Sequence, residues 1–219
     1  MFDFSDTVAA ISTPRGKGGV AVIRISGEGT RAVLSRVFRA KQLPVDNPRR
    51  ACFGQIVDDA GQVIDEGLAL FFPSPASFTG EDVAEISCHG GALLTENVLA
   101  AVLSAGARGA SAGEFTRRAL LNGKMTLSSA EALGALLEAK TTGQLTLARG
   151  GMVGRLSAAV GETFDRLSLL LADAYAKIDF PDEDLNTLGR EEFTAELEKV
   201  QKKVDALLAT YRTGHAVAE

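Results

Sequence analysis

Residues 14–26 read PRGKGGVAVIRIS. A glycine-rich loop carrying a lysine invites a phosphate-binding reading, but the order of elements argues against it. A phosphate loop runs from strand to glycines to helix N-terminus, so that free N–H groups and the helix dipole meet the anion. Here the glycines precede Val20-Ala21-Val22-Ile23-Arg24-Ile25, an apolar, β-branched run with no helical spacing. The pattern G-x-x-x-x-G-K-[ST] occurs nowhere in the 219 residues. The stretch therefore specifies a strand. The residue left to explain is Arg24, a charge set inside it.

Working outward, Thr7–Ile11 reads as a strand on the other side of the glycine loop, and Thr30–Phe38 has helical spacing through Val33, Leu34, Val37 and Phe38. Cys52–Val57 and Val63–Phe72 read as strands joined by the turn DDAGQ, a hairpin. Val83–Cys88 is a further strand, after which Gly90-Gly91 opens a helix through Leu93, Leu94, Val98, Leu99 and Leu103. Strands and helices mixed with a hairpin predict an α+β domain.

After Gly123 the strand signals stop. Ser128-Ser129-Ala130-Glu131 has the form of a capping box, with Ser128 at the N-cap and Glu131 at N3, leading into Leu133, Leu136 and Leu137. A second apolar series runs from Leu156 through Val160, Phe164, Leu167 and Leu171, closed by Pro181. The last helix carries Phe193, Leu197, Val200, Val204, Leu207, Leu208 and Tyr211 on one face, with Gly214 as its expected C-cap. The expected organisation is a mixed domain over 1–122 and an all-helical segment over 123–219.

Composition narrows the class. Hydrophobic residues make up 46% and charged residues 23% of the chain, which is ordinary for a globular protein. The net charge of −5 gives no general affinity for nucleic acid, so a polyanion would have to meet a local patch. Two cysteines, Cys52 and Cys88, suit a reducing compartment without a disulfide framework. The start MFDFSD lacks the positive region of a signal peptide. The longest apolar and small-residue stretch, about ten residues around Val98–Ala107, is too short to span a bilayer. A soluble, cytoplasmic protein is expected.

Four groups could carry chemistry. In SFTGEDVAEISCHGG, residues 77–91, Val83, Glu85 and Ser87 share one strand face and Ala84, Ile86 and Cys88 the other. Glu85 is then either an edge carboxylate facing water or an acceptor for an N–H-rich ligand, because burying it unpaired would be costly. Cys88-His89 allows a nucleophile or metal reading, or a buried thiol entering a tight turn; zinc would need further ligands that the sequence does not place nearby. Lys124 follows the Asn122-Gly123 turn and is a solvated lysine unless it faces the same cavity as Arg24 and Glu85. The acidic IDFPDED, with Asp179, Asp182, Glu183 and Asp184, reads as a Mg²⁺ site or a solvated linker. The basic series Arg31, Arg36, Arg39, Lys41, Arg49 and Arg50 reads as an RNA contact or a solvated face, and the lack of interleaved aromatics favours the face.

Together DTVAAISTPRGKGGVAVIRISG (6–27), SFTGEDVAEISCHGG (77–91), GEFTRRALLNGKMTLSSAEAL (113–133) and IDFPDED (178–184) closely resemble the N-terminal region of the MnmE (TrmE) tRNA-modification GTPases. The resemblance spans residues 6–184 and continues less distinctively to the end. It implies an N-terminal domain similar to folate-binding aminomethyltransferase domains, which dimerises and binds 5-formyl- or 5,10-methylene-tetrahydrofolate. A helical domain interrupted by a GTPase domain would follow. With the flavoprotein MnmG, such proteins modify the wobble uridine 34 of tRNA at C5. By motif, the folate-contacting positions fall on Arg24, Glu85 and Lys124; the resemblance points to no catalytic residue and no metal ligand in this portion.

There are departures. The chain stops at TGHAVAE, where the family's GTPase domain begins, so GTP, Mg²⁺ and K⁺ sites are not expected here. Ala112 stands where the family has proline before GEF. The helical half is expected to expose apolar surface, and the chain alone is not expected to hydrolyse GTP. Two rival readings are a stand-alone folate-dependent one-carbon transferase and a folate-free scaffold that docks a partner.

Overall fold

A computed structural model describes residues 6–14, 16–152, 154–180 and 187–218, with the side chains of residues 155 and 211–218 outside the description. The chain divides into two compact units, Met1–Met125 and Thr126–Glu219. The first is α+β and the second all-helical. Among the described residues no helix is long and apolar enough to cross a membrane.

The first unit is built on β1 (Val8–Ile11), β2 (Val20–Ser26), β3 (Phe38–Arg39), β4 (Cys52–Val57), β5 (Val63–Phe72), β6 (Val83–His89) and β7 (Arg108–Gly109). They form one sheet in the order β3-β4-β5-β6-β2-β1-β7. The β1–β7 pair is parallel and the others are antiparallel. Helices α1 (Thr30–Val37) and α2 (Ala92–Ser104) seal one face. Against them lie Ile23 and Ile25 of β2, Ala69 and Phe71 of β5, and Ala84, Ile86 and Cys88 of β6. Period-two alternation then sends Arg24 and Glu85 to the opposite face. There the register lines up Ala10, Arg24, Glu85 and Leu70, and next to them Val22, Ser87, Leu68 and Phe53. Phe53 is 66% exposed and Leu68 42% exposed, so this second face is only partly covered.

The glycine loop serves close packing of backbone on backbone. The N–H of Gly18 donates to the carbonyl of Gly90 at 3.1 Å, and a Cβ added at Gly90 would lie 2.5 Å from the Gly18 oxygen. Glycine is therefore needed where the loop before β2 meets the turn after β6.

Helix α3 (Glu114–Leu121) is fixed by charge as well as by packing. Arg118 and Glu114 are each 1% exposed. Arg118 donates to the Asp6 carbonyl at 2.9 Å, to the Asp6 carboxylate, to Glu81 at 3.1 Å and to Glu114 at 3.1 Å. Arg108 adds contacts to Glu114 at 2.7 Å and to Asp6 at 2.6 Å. The N–H and hydroxyl of Ser111 donate to Glu114 at 2.7 and 3.0 Å. The Arg108 guanidinium, above all, holds the Glu114 carboxyl far below its ordinary range, against the opposing effect of burial.

The second unit holds α4 (Leu127–Glu138), α5 (Thr142–Met152), α6 (Arg155–Asp179) and α7 (Arg190–Ala218). Two expectations are corrected. The cap of α4 is Thr126, whose side chain accepts from the Ser129 N–H at 3.2 Å, so Ser129 rather than Glu131 occupies N3. Thr126 wins because it already offers an extended backbone and a hydroxyl two residues earlier. Gly214 does not end α7, which runs on to Ala218. Helix α6 ends at Asp179, and Pro181 lies outside the described residues. Along α6, Leu156, Val160, Phe164, Leu167, Leu171, Tyr175 and Ile178 are all exposed. The expected apolar surface of the helical half is present.

Breaking the buried cluster should be costly and acid-sensitive. Glu114→Gln should lose on the order of 3 kcal/mol, read from urea denaturation at neutral pH, because it leaves the buried Arg118 guanidinium short of a partner. A carboxyl with a depressed folded-state value stabilises the fold above its unfolded value and loses that contribution as pH falls. Wild-type stability should therefore decline as pH drops below about 4.5, the ordinary glutamate value. Glu114→Gln should show a shallower decline, and equal slopes would remove Glu114 from the account.

Candidate functional site

Arg24 and Glu85, on the central strands β2 and β6, are direct cross-strand partners. The guanidinium holds one carboxylate oxygen twice: Nε donates to Glu85 Oε1 at 2.9 Å, and Nη2 lies 2.7 Å from the same oxygen. Both side chains keep about a quarter of their surface exposed, at 27% and 25%. The Phe78 ring lies 5.3 Å and the Phe115 ring 5.6 Å from the Arg24 guanidinium carbon, at cation–π distance. The pair is thus a half-buried ionic spot with two aromatic rings beside its guanidinium, on the sheet face away from α1 and α2.

Phe78 comes from the segment between β5 and β6, and Phe115 from the first turn of α3. Lys124 follows α3 and is tied to the same segment: its Nζ donates to the Pro75 carbonyl at 3.0 Å. Its stem also lies over Gly80, whose φ is +83°; a Cβ there would come 3.1 Å from Lys124 Cγ. So the fold joins Arg24 to Glu85 directly, while Lys124 is tied to the segment that carries Phe78 and follows the helix that carries Phe115.

Segment 73–82 is held from several sides. Ser26 Oγ donates to Glu81 Oε2 at 2.6 Å and shares a 2.7 Å bond with Thr79 Oγ1. Asn122 Nδ2 donates to the Thr79 carbonyl at 2.8 Å. The sequence reading missed Glu81, Phe78, Phe115 and Arg118. One signal was available, since Glu114 and Arg118 stand at i, i+4 in a segment with helical composition. The contacts of Phe78 and Glu81 come from tertiary packing and leave no local pattern.

Of the other candidates, Cys88 and most of the basic series are taken up by the packing of the first unit. Cys88 is 3% exposed and free, and burial pushes its thiol above the ordinary value, opposite to an activated nucleophile. His89 Nδ1 lies 2.9 Å from Asp65, whose carboxylate also accepts the His89 backbone N–H at 2.8 Å. Among the described residues no three His, Cys, Asp or Glu side chains gather to hold a metal. Asp182, Glu183 and Asp184 of the acidic motif lie outside the described residues. Most of the basic series is engaged by the fold. Arg31 pairs with Asp82 at 2.9 Å, and Arg36, Arg39 and Arg49 donate to the carbonyls of Ala105, Gly61 and Ala76.

Comparison with known proteins covers the whole chain. Residues 7–124 match the family model described as the GTP-binding protein TrmE N-terminus, and residues 127–219 match the MnmE helical domain. A tRNA modification GTPase MnmE of Heliobacterium modesticaldum is 42% identical over 218 residues, covering 98% of this chain and 47% of the relative. Relatives with the same name from Akkermansia muciniphila and Geobacter sulfurreducens are 42% and 41% identical, over 100% and 98% of this chain. They are covered over 49% and 47% of their own lengths, so the chain spans about half the length of the curated relatives it matches. An α+β unit with the first match, followed by a helical unit with the second, places this chain in the MnmE (TrmE) family.

Proposed function

We propose that the first unit is a tetrahydrofolate-binding and dimerisation domain, taking 5-formyl- or 5,10-methylene-tetrahydrofolate, with the boundaries 1–122 and 123–219 read from the sequence. In this proposal the chain serves a tRNA-modifying GTPase. With MnmG, that enzyme installs the aminomethyl or carboxymethylaminomethyl group at C5 of wobble uridine 34, in the cytoplasm. GTP, Mg²⁺ and K⁺ belong to the portion of the relatives that this chain does not span. The purified chain should release no phosphate from GTP.

The observation that carries the folate reading is the one-sided grip of Arg24 on Glu85. Both contacts fall on Oε1, so Oε2 meets no protein donor among the described residues. A pterin edge presents paired amidine-like N–H donors, and a carboxylate whose orientation is already fixed can accept from them without paying to be ordered. Phe78 and Phe115 provide apolar ring surface beside that edge. Lys124 and the outward part of Arg24 suit the oxygens of the carrier or its anionic glutamate tail. For Lys124 this means exchanging the Pro75 carbonyl for the ligand. The chemistry supplied by the bound folate would be a one-carbon unit; the residues here bind and orient it.

The dimer reading draws on the open sheet face. Phe53, Leu68 and Val20, exposed by 66%, 42% and 60%, lie on strands of that face and would gain from being covered.

Calorimetric titration of 5-formyl-tetrahydrofolate into the chain should give about one site per chain. Glu85→Gln should weaken binding by at least tenfold, about 1.4 kcal/mol, and unchanged affinity would refute the reader role. Turnover of methylene-tetrahydrofolate by the chain would instead favour the stand-alone transferase, and capture of MnmG without any folate binding the docking scaffold. Phe53→Lys should shift sedimentation velocity toward the monomer, while a wild-type chain that remains monomeric at high concentration would refute the dimer.

A further inference from the structure

Both rings beside Arg24 depend on one buried guanidinium. Phe115 sits on α3, the helix that Arg118 anchors. Phe78 sits on segment 73–82, and Arg118 reaches that segment through Glu81, donating to its two oxygens at 3.1 and 3.3 Å. Within the segment, Ser77 Oγ donates to the Glu81 carbonyl at 2.5 Å and accepts from the Gly80 N–H at 3.0 Å. Ser74 Oγ closes the turn on the Gly80 carbonyl at 2.8 Å. A displacement of Glu81 is therefore transmitted to Phe78 three residues earlier. Ser26, which holds Glu81 and Thr79, is two residues from Arg24 on β2.

We infer that Glu81 and Arg118 are positioning residues for the Arg24–Glu85 site, acting by holding Phe78 and Phe115 at cation–π distance from the Arg24 guanidinium. Their described side-chain hydrogen bonds go to Asp6, Ser26, Glu114 and each other, and not to Arg24 or Glu85. Their effect passes through the rings, which restrict Arg24 to the geometry that grips one oxygen of Glu85 and leaves the other open. The affinity part of this inference rests on the folate reading above; the geometric part does not.

The cluster's charge count makes the idea testable without unfolding the protein. Asp6, Glu81 and Glu114 face Arg108 and Arg118 at hydrogen-bond distance, with Arg117 farther off at 4.0 Å from Glu114. Glu81→Gln leaves two carboxylates for the two closely bound guanidinium groups. It also replaces one acceptor oxygen by a donor, so Arg118 keeps at most one of its two contacts with residue 81 and must share the single remaining oxygen with Ser26 or displace it. Asn122→Ala removes the separate tie to the Thr79 carbonyl from outside the cluster.

The test reads the Arg24 Nε–H resonance in ¹H–¹⁵N spectra of the 219-residue chain, with Phe78→Leu marking its position when one ring is gone. In Glu81→Gln the resonance should move at least halfway to the Phe78→Leu position, and in Asn122→Ala a smaller distance the same way. Calorimetric Kd for 5-formyl-tetrahydrofolate should rise at least tenfold in Glu81→Gln. A wild-type resonance in both folded variants would overturn the inference, and if Glu81→Gln does not fold, Ser26→Ala, which removes a bond to Glu81 itself, takes its place and a wild-type resonance there overturns the inference. A wild-type chain that binds no folate would defeat the folate reading, while the resonance would still decide the positioning role.

Discussion

The first unit depends on the cost of removing the Arg118 guanidinium from water. An isolated buried cation is prohibitive, so the fold must bring carboxylates to it from wherever the chain has them. It does so from three places: Asp6 ahead of β1, Glu81 ahead of β6 and Glu114 on its own helix. Each of those carboxylates fixes a different piece of backbone. The cluster thereby sets the N-terminal segment, the connection between β5 and β6, and the seat of α3 with one set of charges. Apolar burial under α1 and α2 stabilises the other side of the sheet but does not define this corner.

The Arg118 cluster and the Arg24–Glu85 pair differ in what they leave open. Around Arg118 the carboxylates accept from several donors in a dry setting, which suits holding structure. At Arg24–Glu85 a quarter of each side chain still meets solvent and the contacts gather on one oxygen. An arrangement of that kind has spare acceptor capacity with its direction already set. The aromatic rings beside the guanidinium add cation–π attraction without consuming the free oxygen.

Much of this was legible in the sequence, for identifiable reasons. The strands from Val20, Cys52, Val63 and Val83 were readable because their core faces are apolar at period two and their ends are marked by glycine or polar turns. Arg24 and Glu85 stood out because a charge in such a run conflicts with its surroundings, and the register makes them partners. The short strands β3 and β7 carry two residues each and offer no period to detect. Helices α3 and α5 were not read at all: α3 is charged through EFTRR, and α5 carries Gly150 and Gly151. The cap of α4 was misplaced because Thr126, Ser128 and Ser129 all have capping chemistry, and only backbone geometry chooses among them. The role of Glu81 was invisible because its partners lie 37 and 55 residues away.

The tie between Asp6 and Arg118 spans 112 residues. It joins the start of the unit to its last helix, and the parallel β1–β7 pairing makes the same long closure in the sheet. During synthesis, then, β1 emerges with neither its outer neighbour nor its charge partner available. The hairpin of β4 and β5 can form early, but the site around Arg24 is complete only once α3 has left the ribosome. Folding of this unit is in effect gated by chain length, and the helical residues that follow are translated behind an almost finished domain.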